Sequence, residues 1–496
     1  MPEHLSLRRA RALAAVLALA VVGHAVAQGE GTAEQVEVLA TTHHQGTFGG
    51  KLIDYVARIE RSTVSLGAGK PTARLVAISY LAENQVRASD RPVIFVFNGG
   101  PIIPSAYLHM LAFGPRRVSV PNDLSADPAS FKVVDNTFTV LDAADIVFFD
   151  PAGTGFSHPA GPTRLDEFFS VENDSMELTR FIADWCERHG RTASPKYIFG
   201  ESYGTIRAAV TAKQLENLEP PMHVRGLFLM GQALNIVETV QRPGNVMSYV
   251  ASLPTLAALG WYHGKVDRKG RAFESFLDEA RVFARDEYLP ALVLGDRLPE
   301  DQKRRLAQRL EALTGLPAAN YLASNLRVTK AAFRATLLAD KRLVLGGDDG
   351  RYVAPAGKPG ELPDASGSIL PSVVASFEQY MKNELKLDLT EPYVVASPVK
   401  GLEDWRWGGS TPFSDWPYMQ SVKDAMAKYP ELKVAVGVGY YDLLTTTGAS
   451  EYAIAQSGWP RNRVDLHYYQ GGHMAYTIED SLRKLMSDVR AFIAAP

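Results

Sequence analysis

Two hydrophobic rhythms divide this chain. Short, nearly unbroken apolar runs recur at Val93–Phe97, Ile146–Phe149, Lys196–Phe199 and Gly226–Met230, and again at Val434–Val438 and Asp465–Tyr469. A run this short with no polar alternate face predicts a strand covered on both sides, as in a parallel sheet. Stretches at helical spacing separate them, among them Met176–His189 and Thr205–Leu215. The pattern predicts an α/β class with a doubly wound, mostly parallel sheet. Upstream, between about 34 and 80, the runs Gln35–Val38, Tyr55–Ile59 and Arg74–Ile78 alternate with turns and predict an antiparallel β meander.

The rhythm changes between Asn235 and Tyr393. Helical spacing dominates there, as in Phe273–Phe283 and Asp301–Leu313, and Gly346–Gly367 is a loop rich in Gly, Pro and Asp. This predicts a helical cap inserted between core strands. The core would then run in two parts, 28–234 and 394–496, with the cap at 235–393 forming a lid over the sheet edge.

Residues 1–27 stand apart. Arg8, Arg9 and Arg11 precede an apolar stretch from Ala12 to Val22, followed by Ala25-Val26-Ala27. This is the pattern of a secretory signal peptide, with cleavage expected after Ala27. The apolar stretch is short for a membrane span. The expected location is periplasmic or secreted, with no stable membrane insertion after cleavage. The whole chain carries a net charge of −3, and losing three arginines against Glu3 makes the remainder more acidic, so no nucleic-acid partner is expected. The single cysteine, Cys186, excludes an intrachain disulfide and reads as a buried apolar filler. His43 and His44 lack a nearby third ligand and no H-E-x-x-H occurs, so neither metal nor cofactor is expected. The sequence leaves oligomeric state undetermined.

The chemistry gathers at Gly200-Glu201-Ser202-Tyr203-Gly204. This G-x-S-x-G follows an apolar strand and opens a helix, the context of a nucleophile elbow in an α/β-hydrolase fold. A serine hydroxyl needs a base, and the base an orienting carboxylate. In this fold both follow the serine in the chain. The histidines after Ser202 are His223, His263, His467 and His473. His223 precedes the insertion, His263 lies inside it, and His467 sits within a strand. His473 follows Gln470-Gly471-Gly472, just past the last core strand, and is the expected base. Asp442, in the loop after Val434–Val438, is the expected acid. Oxyanion donors should come from the N–H of Tyr203 and from the glycine-rich loop Asn98-Gly99-Gly100-Pro101.

These segments resemble those of the serine carboxypeptidase family, and in particular its bacterial secreted branch. Phe97–Pro101 resembles the N-G-G-P-G loop and His109–Val118 the segment after it. Asp150–Ser157 resembles the D-x-P-x-G-T-G-F-S block. The elbow matches the family's G-E-S-Y-G, and Asp442 and Gly471–Met474 resemble the final acid and G-x-G-H-M segments. The resemblance implies an exported serine-type carboxypeptidase acting on peptides through an acyl-enzyme. Ser202 would be the nucleophile, Asp442 the acid, His473 the base, and Gly100 and Tyr203 the oxyanion donors. Asn98, Gly99 and a protonated Glu201 would hold the substrate's C-terminal carboxylate, an arrangement favouring acidic pH.

Two departures stand out. Ile102 replaces a glycine beside the oxyanion loop, and a β-branched residue cannot adopt positive φ cheaply. Ala112 stands where the family's peptidases pair the elbow glutamate with a second acid. An esterase or acyltransferase on the same triad, or a secreted homologue with impaired catalysis, would carry the same residues. Arg207 could contact a carboxylate or form a structural ion pair. Trp405 and Trp407 could line a substrate groove or pack against the cap.

Overall fold

The computed structural model describes residues 36–83, 87–268, 270–358, 361–408 and 418–495. The expected signal segment at 1–27 lies outside them. The described strands are β1 (Glu37–Phe48), β2 (Lys51–Ser65), β3 (Thr72–Ala82), β4 (Val93–Phe97), β5 (Arg116–Ser119), β6 (Lys132–Asp135), β7 (Asp145–Phe149), β8 (His158–Pro159), β9 (Lys196–Glu201), β10 (Gly226–Met230), β11 (Leu343–Leu345), β12 (Val353–Pro355), β13 (Lys433–Gly439) and β14 (Val464–Tyr469). The main sheet has the order β1-β2-β3-β7-β4-β9-β10-β13-β14, with β8 paired to β3. Strands β7, β4, β9, β10, β13 and β14 run parallel, while β1, β2 and β3 form the antiparallel meander at one edge. This is the α/β-hydrolase type of sheet expected from the apolar runs.

The buried strands explain their own sequences. Every residue of β4 is buried. Val93, Phe95 and Phe97 join a cluster with the helices Val171–Arg188 and Tyr203–Leu215, while Ile94 and Val96 face a second cluster with the C-terminal helix Glu479–Ala494. Each fully buried side chain of this kind contributes about 1.5–3 kcal/mol. The meander strands are longer than their apolar runs suggested, because their alternate residues face solvent and interrupt the hydrophobic signal. The hairpin β5–β6 is short and polar, and the sequence pattern does not announce it.

A third apolar cluster unites the helices Leu253–Tyr262, Phe273–Phe283 and Glu300–Thr314 with Tyr440, Tyr441 and Leu443 from the loop after β13. The helix Leu370–Asn383 differs: its Val373, Phe377 and Tyr380 pack into the sheet's own core. Among the described residues no helix is long and apolar enough to cross a membrane.

The parallel strands, taken in chain order, place the second at one side of the first and all later ones at the other. The order therefore reverses between β4 and β9, and ligands of open α/β sheets bind outside the carboxyl ends of strands at such a switch point.

Candidate active site

The loop Asn98–Pro101 and the Ser202 elbow leave the sheet on either side of that switch point. Ser202 sits at φ 58° and ψ −128°, a conformation that costs a non-glycine residue about 1–3 kcal/mol and persists where surrounding structure over-determines it. Its N–H donates to the Met230 carbonyl at 2.9 Å, which ties the elbow to β10. Close approach requires the glycine at 200, where a Cβ would strike the carbonyl of Gly204; at Gly204 it would crowd the Asn98 carbonyl at 3.1 Å. At Gly99 an added Cβ would lie 2.6 Å from both the Glu201 carbonyl oxygen and the Tyr203 nitrogen, so the Asn98 loop rests directly on the elbow.

Asp442 and His473 meet from the ends of neighbouring strands β13 and β14. His473 Nδ1 is 2.7 Å from Asp442 Oδ2. Asp442 is fully buried, and its carboxylate also accepts the N–H groups of Leu444 and Thr445 and the Thr445 hydroxyl, at 2.8, 2.9 and 2.6 Å. These bonds fix the carboxylate toward the imidazole. The segment between β10 and β13 holds the other side: the His473 N–H donates to the Asp348 carbonyl at 2.6 Å, and the Gly472 N–H to Asp349 Oδ2 at 3.0 Å. Burial alone would lower the pKa of His473, but Asp442, Glu201 and Asp348 outweigh it and raise it to about 9. His473 Nε2 is buried without a hydrogen-bond partner. With Nδ1 on Asp442, Nε2 is the nitrogen free to exchange a proton, and such bonds often form only when substrate completes a site.

Gly100, Ser202 and Tyr203 line one cavity of about 410 Å³. The Tyr203 N–H opens the helix Tyr203–Leu215, where no intrahelical acceptor exists for it. Ile102 adopts φ 58°, so the β-branched residue enters the left-handed region after all. Its side chain is fully buried in the cluster beneath the elbow, and that burial offsets the backbone strain.

Glu201 is buried beside the serine. Its carboxylate accepts from Asn98 Nδ2, and from the Tyr476 hydroxyl at 2.6 Å. Burial raises its pKa, against the pull of His473, Tyr476 and Asn98. Nothing in the sequence pattern marks Tyr476, although it lies one turn beyond His473. The short turn bearing it packs against the π-helical turn His109–Phe113, which contains Ala112. A hydroxyl thus partners the glutamate that the resemblance would pair with a second acid. Asn98 is itself fixed, with its Oδ1 accepting from Leu108 N–H at 3.1 Å.

Arg207 is no carboxylate receptor. It is fully buried, its Nε and Nη2 each lie 2.8 Å from Asp174, and its Nη1 donates to the Asn98 carbonyl at 2.9 Å. Asp174 also accepts the Tyr203 hydroxyl at 2.9 Å. The arginine is a structural tie between the elbow helix and the Asn98 loop. Trp405 is buried edge-on to Tyr203, while Trp407 lines the cavity. Thr445, unremarked in the sequence, both braces Asp442 and lines that cavity. His467 lies in β14 with Asp488 3.4 Å away, His263 bonds the Gly350 carbonyl, and His223 pairs with Glu216. Cys186 is buried, and burial pushes its thiol up to about 11.

Residues 79–241 match the family model described as serine carboxypeptidase. The pheromone-processing carboxypeptidase KEX1 of Meyerozyma guilliermondii is 30% identical over 160 residues, covering 30% of this chain and 22% of that protein. The chain thus matches about a fifth of the length of that relative. Among solved structures, the prohormone-processing carboxypeptidase Kex1(delta)p of Saccharomyces cerevisiae superposes over 88% of this chain and 91% of its own, with a TM-score of 0.51 and 14% identity. An esterase of Pyrococcus furiosus gives a TM-score of 0.34 and 9% identity over 88% of this chain and 89% of its own. The matched segment holds the Asn98 loop, the Asp150 block and the G-E-S-Y-G elbow in order, and over these residues the chain is similar to the serine carboxypeptidase family.

Proposed function

We propose that the protein is an exported serine-type carboxypeptidase that releases C-terminal residues from peptides through an acyl-enzyme. One observation carries this reading: a buried carboxyl, Glu201, lies against the nucleophile elbow, is held by Asn98 and Tyr476, and has a raised pKa. A general esterase has no use for a protonatable carboxyl there, whereas a peptide's free C-terminus can accept its proton.

In this reading Ser202 Oγ attacks the scissile carbonyl and His473 Nε2 takes its proton. Asp442 holds the imidazole by Nδ1 and stabilises the imidazolium. The Gly100 and Tyr203 N–H groups receive the oxyanion. His473 then protonates the leaving amine, and water enters by the same base to free the acyl group. Asn98, the Gly99 N–H and protonated Glu201 bind the departing residue's carboxylate. Protonating Glu201 also removes one of the anions that raise His473, so the form that binds a carboxylate carries the more readily deprotonated base. The helical insertion 235–393, apart from the helix Leu370–Asn383 that packs into the sheet's core, acts as a cap, and the protein works in a periplasmic or extracellular space.

The test has two parts. A fluorophosphonate probe should label the wild type and not Ser202→Ala. Mass spectrometry of a mixed peptide library should show loss of single C-terminal residues, and the rate should fall as pH rises for peptides with a free carboxylate. Glu201→Gln should remove that pH dependence. Internal cuts, or turnover of esters alone, would defeat the carboxypeptidase reading in favour of an esterase or acyltransferase.

A further inference from the structure

Lys330 begins the helix Lys330–Thr336 of the insertion and lines the same cavity as Ser202 and Tyr203. Its backbone N–H donates to Gln241 Oε1 at 2.7 Å, which fixes the start of the helix over the cavity. Its ammonium donates to the Leu444 carbonyl at 3.1 Å. Among the described residues no carboxylate forms an ion pair with it, and none lines the cavity. Asp442 acts on it through space, but that carboxylate is already committed to His473 and Thr445.

Arg334, one turn further along, also lines the cavity and provides the contrast. Its Nε donates to the Leu345 carbonyl at 3.0 Å, its Nη2 to the Pro363 carbonyl at 3.3 Å, and Asp364 lies 3.6 Å away. The arginine has a carboxylate beside it and two carbonyl bonds, whereas the lysine ammonium has one carbonyl bond and no carboxylate partner. The surrounding walls are largely apolar, including Ile236, Val240 and Leu443. Lys330 is half-buried, and a cation partly screened from water with no anionic partner is stabilised when a ligand anion joins it. Asn98, Glu201 and Tyr476, which would face the departing residue's carboxylate, are not among the walls of this cavity. The cavity therefore suits the other side of the scissile bond.

We infer that Lys330 selects peptides with an acidic side chain on the residue whose carbonyl Ser202 attacks. This rests on the carboxypeptidase reading and adds the substrate class to it. A Glu side chain entering the cavity would place its carboxylate on the ammonium and its methylenes against the apolar walls. A charge-assisted bond of this kind gives about 10–100-fold discrimination over the uncharged isostere.

The experiment uses the full-length protein and three N-blocked dipeptides with the same leaving residue: Glu-Leu, Gln-Leu and Leu-Leu. The wild type should turn over Glu-Leu with kcat/KM at least 10-fold above Gln-Leu. Lys330→Met should bring that ratio to about one, and Lys330→Arg should largely preserve it. A ratio near one in the wild type, or an unchanged ratio in Lys330→Met, overturns the inference. So does an equal loss on all three dipeptides with none on their C-terminal esters, since Lys330 would then hold the α-carboxylate. Leu-Leu reports on the carboxypeptidase reading by itself. If no dipeptide is cleaved, both fall; if Leu-Leu is cleaved and the charge ratio is flat, only the inference falls.

Discussion

Replacing Asp442 by Asn tests the central electrostatic claim. The amide oxygen can still accept the Leu444 and Thr445 N–H groups that bond Asp442 Oδ1, so the loop keeps its shape. What disappears is the negative charge 2.7 Å from His473 Nδ1. In the wild type His473 stands at about 9 against an ordinary 6.5. At ~1.36 kcal/mol per tenfold change in proton affinity, that rise corresponds to about 3 kcal/mol of folding stability. The folded-state value is raised, so the stabilisation is fully present below pH 6.5 and is lost as pH climbs through 9. In Asp442→Asn burial opposes the proton without its main counterweight, and His473 should fall to its ordinary value or below. Urea unfolding at pH 6, 7.5, 9 and 10 should therefore show a gap between wild type and variant that is about 3 kcal/mol larger at the acid end than at the alkaline end. A gap that stays constant across that range would refute the reasoning, because the Asp442–His473 pair would then not be charged in the folded state. In parallel, kcat on a blocked dipeptide should drop about 10³–10⁴-fold, as expected when the base loses its orienting acid.

Ser202→Gly should abolish turnover yet stabilise the fold by about 1 kcal/mol, since glycine tolerates φ 58°; a lower urea midpoint than wild type would contradict the strain argument. Gly99→Ala brings a methyl 2.6 Å from the elbow backbone, so it should cost about 1–3 kcal/mol and lower kcat/KM by at least about 10²-fold; wild-type kinetics would show that the loop and elbow can part without penalty. Arg207→Met leaves Asp174 buried without its cation and should destabilise by about 3–5 kcal/mol in urea unfolding; normal stability with a raised KM confined to free-carboxyl peptides would instead return Arg207 to substrate binding.

The sheet was largely legible in the chain. Val93–Phe97 and Gly226–Met230 are strands with the limits their apolar runs predict, and Phe273–Phe283 is a helix over its whole predicted length. Those elements bury residues on every face or on one regular stripe, so sequence pattern and burial coincide. The short hairpin of Arg116–Ser119 and Lys132–Asp135 was not legible, because only Arg117 and Val118 are buried in it and its residues carry no regular period. In the site, chain order brought forward Ser202, Asp442 and His473; the sheet puts Asp442 and His473 at the ends of neighbouring strands, and Ser202 after β9, with β10 between. Arg207 stayed ambiguous in sequence because its partner Asp174 lies on a different helix and nothing local marks the pair. The same holds for Ile102: residue type argued against positive φ, and only the packing around its buried side chain sustains it there.

The sequence by itself determined the alternation of strand and helix, the elbow around Ser202, and the one late histidine in a glycine-rich loop, since each is written in local pattern. Tertiary structure decided everything that depends on loops from different strands converging at the β4–β9 switch point. It joined His473 to Asp442 and to the Asp348 carbonyl, gave Glu201 a tyrosine partner that the sequence did not mark, and brought Lys330 from the helices between β10 and β13 to the cavity of Ser202. Periodicity reports which face of an element is buried; it does not report which distant element covers that face, and the chemistry of this site is set by such coverings.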